Sequence, residues 1–320
     1  MEAETLSPFS DFCYLFLSIL LEGAPFILLG TLISGFIDAY LPPGLIDKWL
    51  PKNRPLAVMC SGLLGAVFPV CECAVVPVIR RLIRKGLPVS CAITYMLSAP
   101  IINPIVIVST MKAFSSSLGQ FSLRQNDVID AYGPVFMTSS RLLIAFIVTV
   151  GVGLIVLKCR PKSILRPQIL PKADGGEAET DDGTPDATRQ ERLVLAMRTT
   201  MKDFMETAMY FSIGVGITAV FRAYVTQDLI LLFNQSEATG IGLMMILAFV
   251  LSLCSTSDAF IAANFPVAQS AKLAFLVYGP MMDVKLVFMY LTVFRSKFVV
   301  ILAFSLLIAI GLLSYLWIRL

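Results

Sequence analysis

Runs of apolar residues as long as a bilayer crossing dominate this chain and leave few folds open to it. A helix needs ~20 such residues to cross the ~30 Å hydrocarbon core. The sequence offers eight candidate spans, at about 11–40, 56–79, 86–111, 133–157, 198–223, 239–263, 270–293 and 298–318. Composition agrees: 57% of residues are hydrophobic and 15% charged, against roughly 25% charged in a soluble domain. The mean hydropathy is +0.81. The expected class is therefore an all-α polytopic membrane protein, with the bilayer itself as its first partner.

Several classes fall away. The opening MEAETLSPFSDF is acidic and lacks the basic region and small-residue cleavage site of a signal peptide, so the first span is expected to stay as a membrane helix. A net charge of +3 gives no basic footprint for nucleic acid. The seven cysteines sit mostly within spans, unlike a secreted disulfide framework. There is no histidine, the commonest transition-metal ligand. No phosphate-binding G-x-x-x-x-G-K-[ST] loop is present, and no cofactor is expected.

Between the fourth and fifth spans lies KADGGEAETDDGTPDATRQER, too polar to bury a core of its own. It divides the chain into a first four-span half (1–157), a polar cytoplasmic linker (158–197) and a second four-span half (198–320). The halves match. ILLEGAPFILLG overlays DFMETAMYFSIG, placing Glu22 on Glu206 and Gly30 on Gly214. FPVCECAVVPVI overlays LSLCSTSDAFIA, placing Cys71 on Cys254, and LSAPIINPIVIV overlays VYGPMMDVKLVF, placing Asn103 on Asp283. Three landmarks recur in order at nearly constant spacing. Four spans per half imply a parallel repeat about an axis along the membrane normal. Lys and Arg in short loops set orientation. RRLIRK at Arg80–Lys85 and the basic flanks of the linker put both termini and the linker in the cytoplasm, although Lys48, Lys52, Arg54, Lys112, Arg124, Arg222, Arg295 and Lys297 then fall outside.

The second and third spans of each half carry breakers. Pro69 and Pro77 bracket a cysteine pair, Pro100 and Pro104 bracket Asn103, and Gly279-Pro280 precedes Asp283. Such prolines free carbonyls that protein or water must satisfy. Paired interrupted helices point to a transporter's binding site, whereas the plainer reading is a kink for packing. Glu22, Glu72, Glu206, Asp258 and Asp283 fall in or near mid-span, with Lys285 as a nearby counter-charge. Each costs ~2.5–3.5 kcal/mol at a helix centre. They suit proton or cation coupling, or interhelical hydrogen bonding as neutral carboxyls.

The thiols are soft ligands that select soft or borderline ions. In an unbroken helix the side chains of a C-x-C pair point ~200° apart, so Cys71 and Cys73 share a ligand only where the helix is broken. Cys254 is then the third thiol, and Ser98, Asn103 and Ser257 line the path. Cys13, Cys60, Cys91 and Cys159 read as ordinary small apolar residues.

CECAVVPV followed by LSAPIINPIVI, then LCSTSDAFIAA and VYGPMMDVKLV, resembles the predicted permease family that includes the bacterial organoarsenical efflux permeases. Many relatives carry serine where this chain has Glu72, which points to a branch without an established substrate. The resemblance implies a transporter, often paired with a small separate membrane subunit. The expectation is thus an inner-membrane secondary transporter exporting a soft-metal or metalloid species. In that reading Cys71, Cys73 and Cys254 are ligands, metal ligands included, and the acids couple transport. A permease subunit for another small solute, with structural cysteines, is the alternative. A membrane enzyme using Cys71 activated by Glu72 is disfavoured, because a catalytic thiolate needs an electropositive setting.

Overall fold

Inside a bilayer the backbone has no water to bond with, so apolar runs close their hydrogen bonds within helices. The protein, seen in a computed structural model that describes residues 8–41, 50–68, 70–117, 127–167, 189–224, 237–265 and 267–317, follows that rule. The first half holds α1 (Pro8–Tyr40), α2 (Arg54–Val67), α3 (Glu72–Arg84), α4 (Val89–Ser98), α5 (Pro104–Ser117) and α6 (Asp127–Val156). A short turn, α7 (Pro161–Ile164), leads toward the linker. The second half holds α8 (Arg189–Tyr224), α9 (Glu237–Leu251), α10 (Ser257–Asn264), α11 (Gln269–Met281), α12 (Val284–Tyr290) and α13 (Ser296–Trp317). The all-α, multi-pass class stands. Each half reads long helix, broken helix, broken helix, long helix. Pro69 lies outside the described residues, while α8 begins inside the stretch read as linker.

Contacts give the direction of each helix. The matched helices α1 and α8 pack antiparallel: Gly23 meets the Phe211 ring, Thr200 Oγ1 donates to the Thr31 carbonyl at 3.3 Å, and Gly35 abuts Ala196. In contrast α2 and α4 run parallel, with Gly62 beside Thr94 and Gly65 against Ala99. The chain joins the end of α2 to the start of α4 through α3, so α3 must run back. Arg54 and Ala57 of α2, Ser90 and Cys91 of α4, and Val156 at the end of α6 line one cavity, so these ends share a face. The second half repeats the pattern. Gly240 faces Ala271 and Gly279 faces Ala248, which makes α9 and α11 parallel and α10 the returning arm.

Two hairpins therefore enter from opposite faces, α2–α3 from one and α9–α10 from the other. Among the described residues α1, α6, α8, α11–α12 and α13 are long and apolar enough to cross a membrane, and α4–α5, broken between them, runs along α6 from the linker face toward the other and makes a sixth path. At the far end of α12, Arg295 N–H donates to the Ile164 carbonyl at 2.9 Å and Leu165 pairs with Phe294, which brings that end to the linker face. Here the path departs from the expectation. Eight crossings become six with two hairpins, and the parallel repeat becomes an inverted one, with its axis in the membrane plane. The physical reason is length. The 14 residues of α2 make only ~21 Å of helix, short of the ~30 Å core, yet α2 and α3 together match the hydropathy of one span. The linker flanks share one face, and Pro8 and Trp317 share the other, so the expectation of both termini beside the linker fails.

Small residues let α1 and α8 approach closely, as membrane helices require. Near the linker face a buried ion cluster fastens them to α3. Arg81 donates from Nε and Nη2 to the two carboxylate oxygens of Asp203 at 3.1 Å each, and from Nη1 to Asp38 at 3.2 Å. Arg80 pairs with Glu206 at 2.6 Å.

This path makes a direct prediction. Thiol labels in the 170–190 stretch and at the two ends of the chain will react from opposite sides of intact cells. Reaction of all three from one side would restore the parallel repeat.

Candidate functional site

The breaks in the four interrupted helices converge at the centre. At the first hairpin tip, Cys71 has extended backbone and caps α3, its carbonyl accepting from Ala74 and Val75 N–H. Glu72 is the first helical residue and is buried. At the second tip the chain leaves α9 through Ser252, a non-glycine residue at φ 46°. Such left-handed backbone costs energy in an L-residue and persists where the surroundings fix it.

Lys285 is what fixes it. Its ammonium, buried in α12, donates to the Ser252 carbonyl at 2.8 Å and the Leu253 carbonyl at 3.4 Å. It lies 3.5 Å from Glu72 and 3.4 Å from Asp283. Ser255 Oγ reaches Glu72 at 3.5 Å, so the tips also touch directly. The matched pair Asn103 and Asp283 perform one job. Asn103 Oδ1 accepts from Ile105 N–H at 2.9 Å and Asp283 Oδ1 from Leu286 N–H at 2.7 Å, each satisfying the first turn of the helix after its break.

On the other flank, Arg141 of α6 is fully buried. It donates to Thr110 Oγ1 at 2.7 Å and to the Ser255 carbonyl at 3.2 Å. It lies within electrostatic range of Asp258 and Glu72. Asp258, in the first turn of α10, is buried with Oδ2 lacking a hydrogen-bond donor, beside Gly279. Three acids and two bases thus share a centre from which water is largely excluded.

Of the residues singled out in the sequence, Cys71, Glu72, Cys254, Asp258 and Asp283 come together here. Cys71 lies within electrostatic range of Cys254, and Thr256 Oγ1 donates to the Cys254 sulfur at 3.5 Å. Cys73 is buried on the side of Lys285 and Asp283. No group of three or more His, Cys, Asp or Glu side chains is poised to hold a metal ion among the described residues. Ser98 is buried at the end of α4, bonded to the Tyr95 carbonyl, and Ser257 begins α10. Glu22 and Glu206 stand apart: Glu22 is on the exposed face of α1 and Glu206 is in the ion pair with Arg80. Sequence reasoning missed Arg141, although an arginine inside SSRLLIAFIV was itself the signal.

Inverted repeats whose broken helices meet around buried charge define a multi-pass membrane protein of the transporter kind. The chain belongs to the predicted permease family, whose sequence model matches residues 9–318. It is 36% identical to the UPF0718 protein YcgR of Bacillus subtilis over 299 residues, 92% of this chain and 93% of that one. It is 34% identical over 289 residues to a Streptococcus mutans protein named "Putative two-component membrane permease complex subunit", covering 89% and 87% of the two chains. A shorter likeness, 27% over 96 residues, links it to the UPF0718 protein MJ0584 of Methanocaldococcus jannaschii. No solved structure matches it.

The geometry predicts how the centre fails. Lys285→Met leaves two buried carboxylates uncompensated and will destabilise the protein by about 3–5 kcal/mol, read as a lower unfolding midpoint in detergent. Adding Glu72→Gln and Asp283→Asn to that variant will recover most of the loss, because it removes the charges that lost their partner. An unchanged midpoint in Lys285→Met would remove the ammonium as the tie between the tips.

Proposed function

We propose that this permease is a secondary transporter of a soft-metal or metalloid species, acting as an exporter. One observation carries the reading: two hairpins from opposite faces bring the half-buried Cys71 and Cys254 to a common centre, with the buried Cys73 two residues further along. A thiol pair offered by two separate tips suits a soft substrate that bridges them, and separating the tips would release it. Neither tip need hold the substrate alone.

In this reading the acids supply the coupling. Glu72 and Asp283 pair with the Lys285 ammonium, whereas Asp258 Oδ2 has neither a hydrogen-bond donor nor an ion-pair contact among the described residues. One acid in excess calls for one proton or monovalent cation at the centre, and Asp258 Oδ2 is its natural seat. Asn103 and Ser98 act mainly in holding the breaks, with Ser257 beside the path. Glu22 and Glu206 act, in this reading, on the moving helices instead of on substrate.

The basic residues orient the protein. Lys52, Arg54, Arg80, Arg81, Arg84, Lys85, Arg160, Lys162, Arg295 and Lys297 all belong to the linker face, against Lys112, Arg222 and Lys272 toward the other. The positive-inside rule then places the linker in the cytoplasm and both chain ends outside.

A second reading keeps the permease and changes the cargo. The name of the Streptococcus mutans relative favours a subunit that works beside a partner, with the cysteines structural.

The deciding measurement is the elemental content of cells with and without the gene, followed by uptake of the responsive element into everted vesicles. Cys71→Ser and Cys254→Ser will each weaken substrate affinity by at least about 10- to 100-fold, the range that loss of even an outer partner of a metal ligand costs. Asp258→Asn will spare affinity and abolish the pH or cation dependence of uptake. Unaltered affinity in both cysteine variants would leave the second reading in place.

A further inference from the structure

The inverted repeat makes a strong statement about contacts: whatever packs on one face has a counterpart on the other. α3 corresponds to α10 and α12 to α5. On the linker side, the α1–α8 pair is seated on α3 and α12. A Cβ on Gly30 would lie 2.6 Å from the Ala74 carbonyl oxygen, and one on Gly214 would lie 2.6 Å from Lys285 Cα. Ser34 donates to the Pro77 carbonyl at 3.3 Å, and Arg80 and Arg81 hold Glu206, Asp203 and Asp38. The counterparts would be α8 on α10 and α1 on α5. Among the described residues neither pair forms a comparable packing.

The surface that such packing would cover is instead open. On α5, Ile105, Val108 and Met111 are exposed, and on α10, Phe260 and Asn264. Glu22 sits exposed on α1, the match of Glu206. The α1–α8 pair is thus seated on the linker side alone, and the matching surface on the other side is uncovered by the protein.

We propose that the exposed face of α5 and α10 is the second seat of the α1–α8 pair, occupied when the protein opens toward the linker side. In that state Gly30 leaves Ala74 for Ile105, Gly214 leaves Lys285 for Ser257, and Glu22 approaches Ala263 and its exposed neighbour Asn264. Both pivot residues are glycine because each must accept backbone at two different seats. The move reaches the centre directly, since Gly214 rests on the backbone of Lys285. Its departure frees the residue that ties the tips. The seats differ in charge. The counterparts of Arg80, Arg81 and Asp203 are Ala263, Asn264 and Ile19, so the ion cluster favours the state seen here. The proposal rests on the permease reading only for its purpose.

The test uses no substrate. Glu22→Cys and Asn264→Cys are introduced together into a chain lacking Cys60 and Cys159, and a short bis-maleimide is applied to the protein in membranes. Slow cross-linking is expected, rising about tenfold when Arg81→Gln with Asp203→Asn removes the lock as a neutral pair. Ile105→Trp, which overfills the second seat, will abolish the cross-link while Ile105→Ala retains it. Each single cysteine reacting with a mono-maleimide shows that both are reachable. No cross-link in either background, with both cysteines reachable, would mean that the face meets only lipid and would overturn the proposal. A rate indifferent to the lock, or to Ile105→Trp, would also overturn it. The permease reading survives those failures, and failure of every element in the uptake screen leaves the cross-linking result standing.

Discussion

The structure depends on one ammonium group. Lys285 binds carbonyls from the second hairpin tip, a carboxylate from the first and the capping aspartate of its own helix. A buried charge in a medium without water is tolerated only when partners surround it closely. Three of those partners belong to its own half, and the set is complete only when the first half supplies Glu72. The centre is therefore a polar island whose assembly requires the whole chain. Its stability is set by geometry from both hairpins at once, and loosening either tip exposes charge in the other.

Much of the architecture was legible in the sequence, but its handedness was not. The apolar runs, the breaks at Cys71 and Asn103, and the match of Gly30 with Gly214 all correspond to real helices and real interruptions. Hydropathy carries no direction, however. Two half-length helices folded into a hairpin have the same composition as one full crossing, so composition does not distinguish an odd from an even number of crossings per half, nor an inverted repeat from a parallel one. The signal lay in the misfits. Of the basic residues that fall outside in the expected orientation, Lys52, Arg54, Arg295 and Lys297 move to the linker face once α2–α3 is a hairpin, while Lys112 and Arg222 stay opposite.

The site was legible in its acids and thiols and obscure in its bases. Arg141 looks like one polar residue in an apolar helix, and nothing in its neighbours reveals that it spans from Thr110 to the Ser255 carbonyl. Glu22 and Glu206 illustrate the opposite failure. The sequence matches them, yet one is exposed and the other ion-paired, because the α1–α8 pair packs on α3 and α12 and has no comparable contact with their counterparts among the described residues. Asn103 and Asp283 escape this asymmetry, since capping the helix after a break is a local task that does not change with the state.

The placement of charge follows from the ends of helices meeting at the centre. α3, α5, α10 and α12 all begin there, while α2, α4, α9 and α11 all end there. Helix starts present unpaired N–H groups and favour negative charge; helix ends present carbonyls and favour positive charge. Glu72, Asp258 and Asp283 accordingly stand at starts, with Asn103 as their neutral counterpart. Lys285 reaches across to the carbonyls at the end of α9. In the fully parallel arrangement that the sequence suggested, both hairpin-like breaks would belong to crossing helices whose ends stay in line, and each end would satisfy the next. Inversion turns the tips toward each other and leaves starts facing ends, so the charges at the starts must find partners across the centre: Glu72 and Asp283 find Lys285, and Asp258 Oδ2 is left without a hydrogen bond.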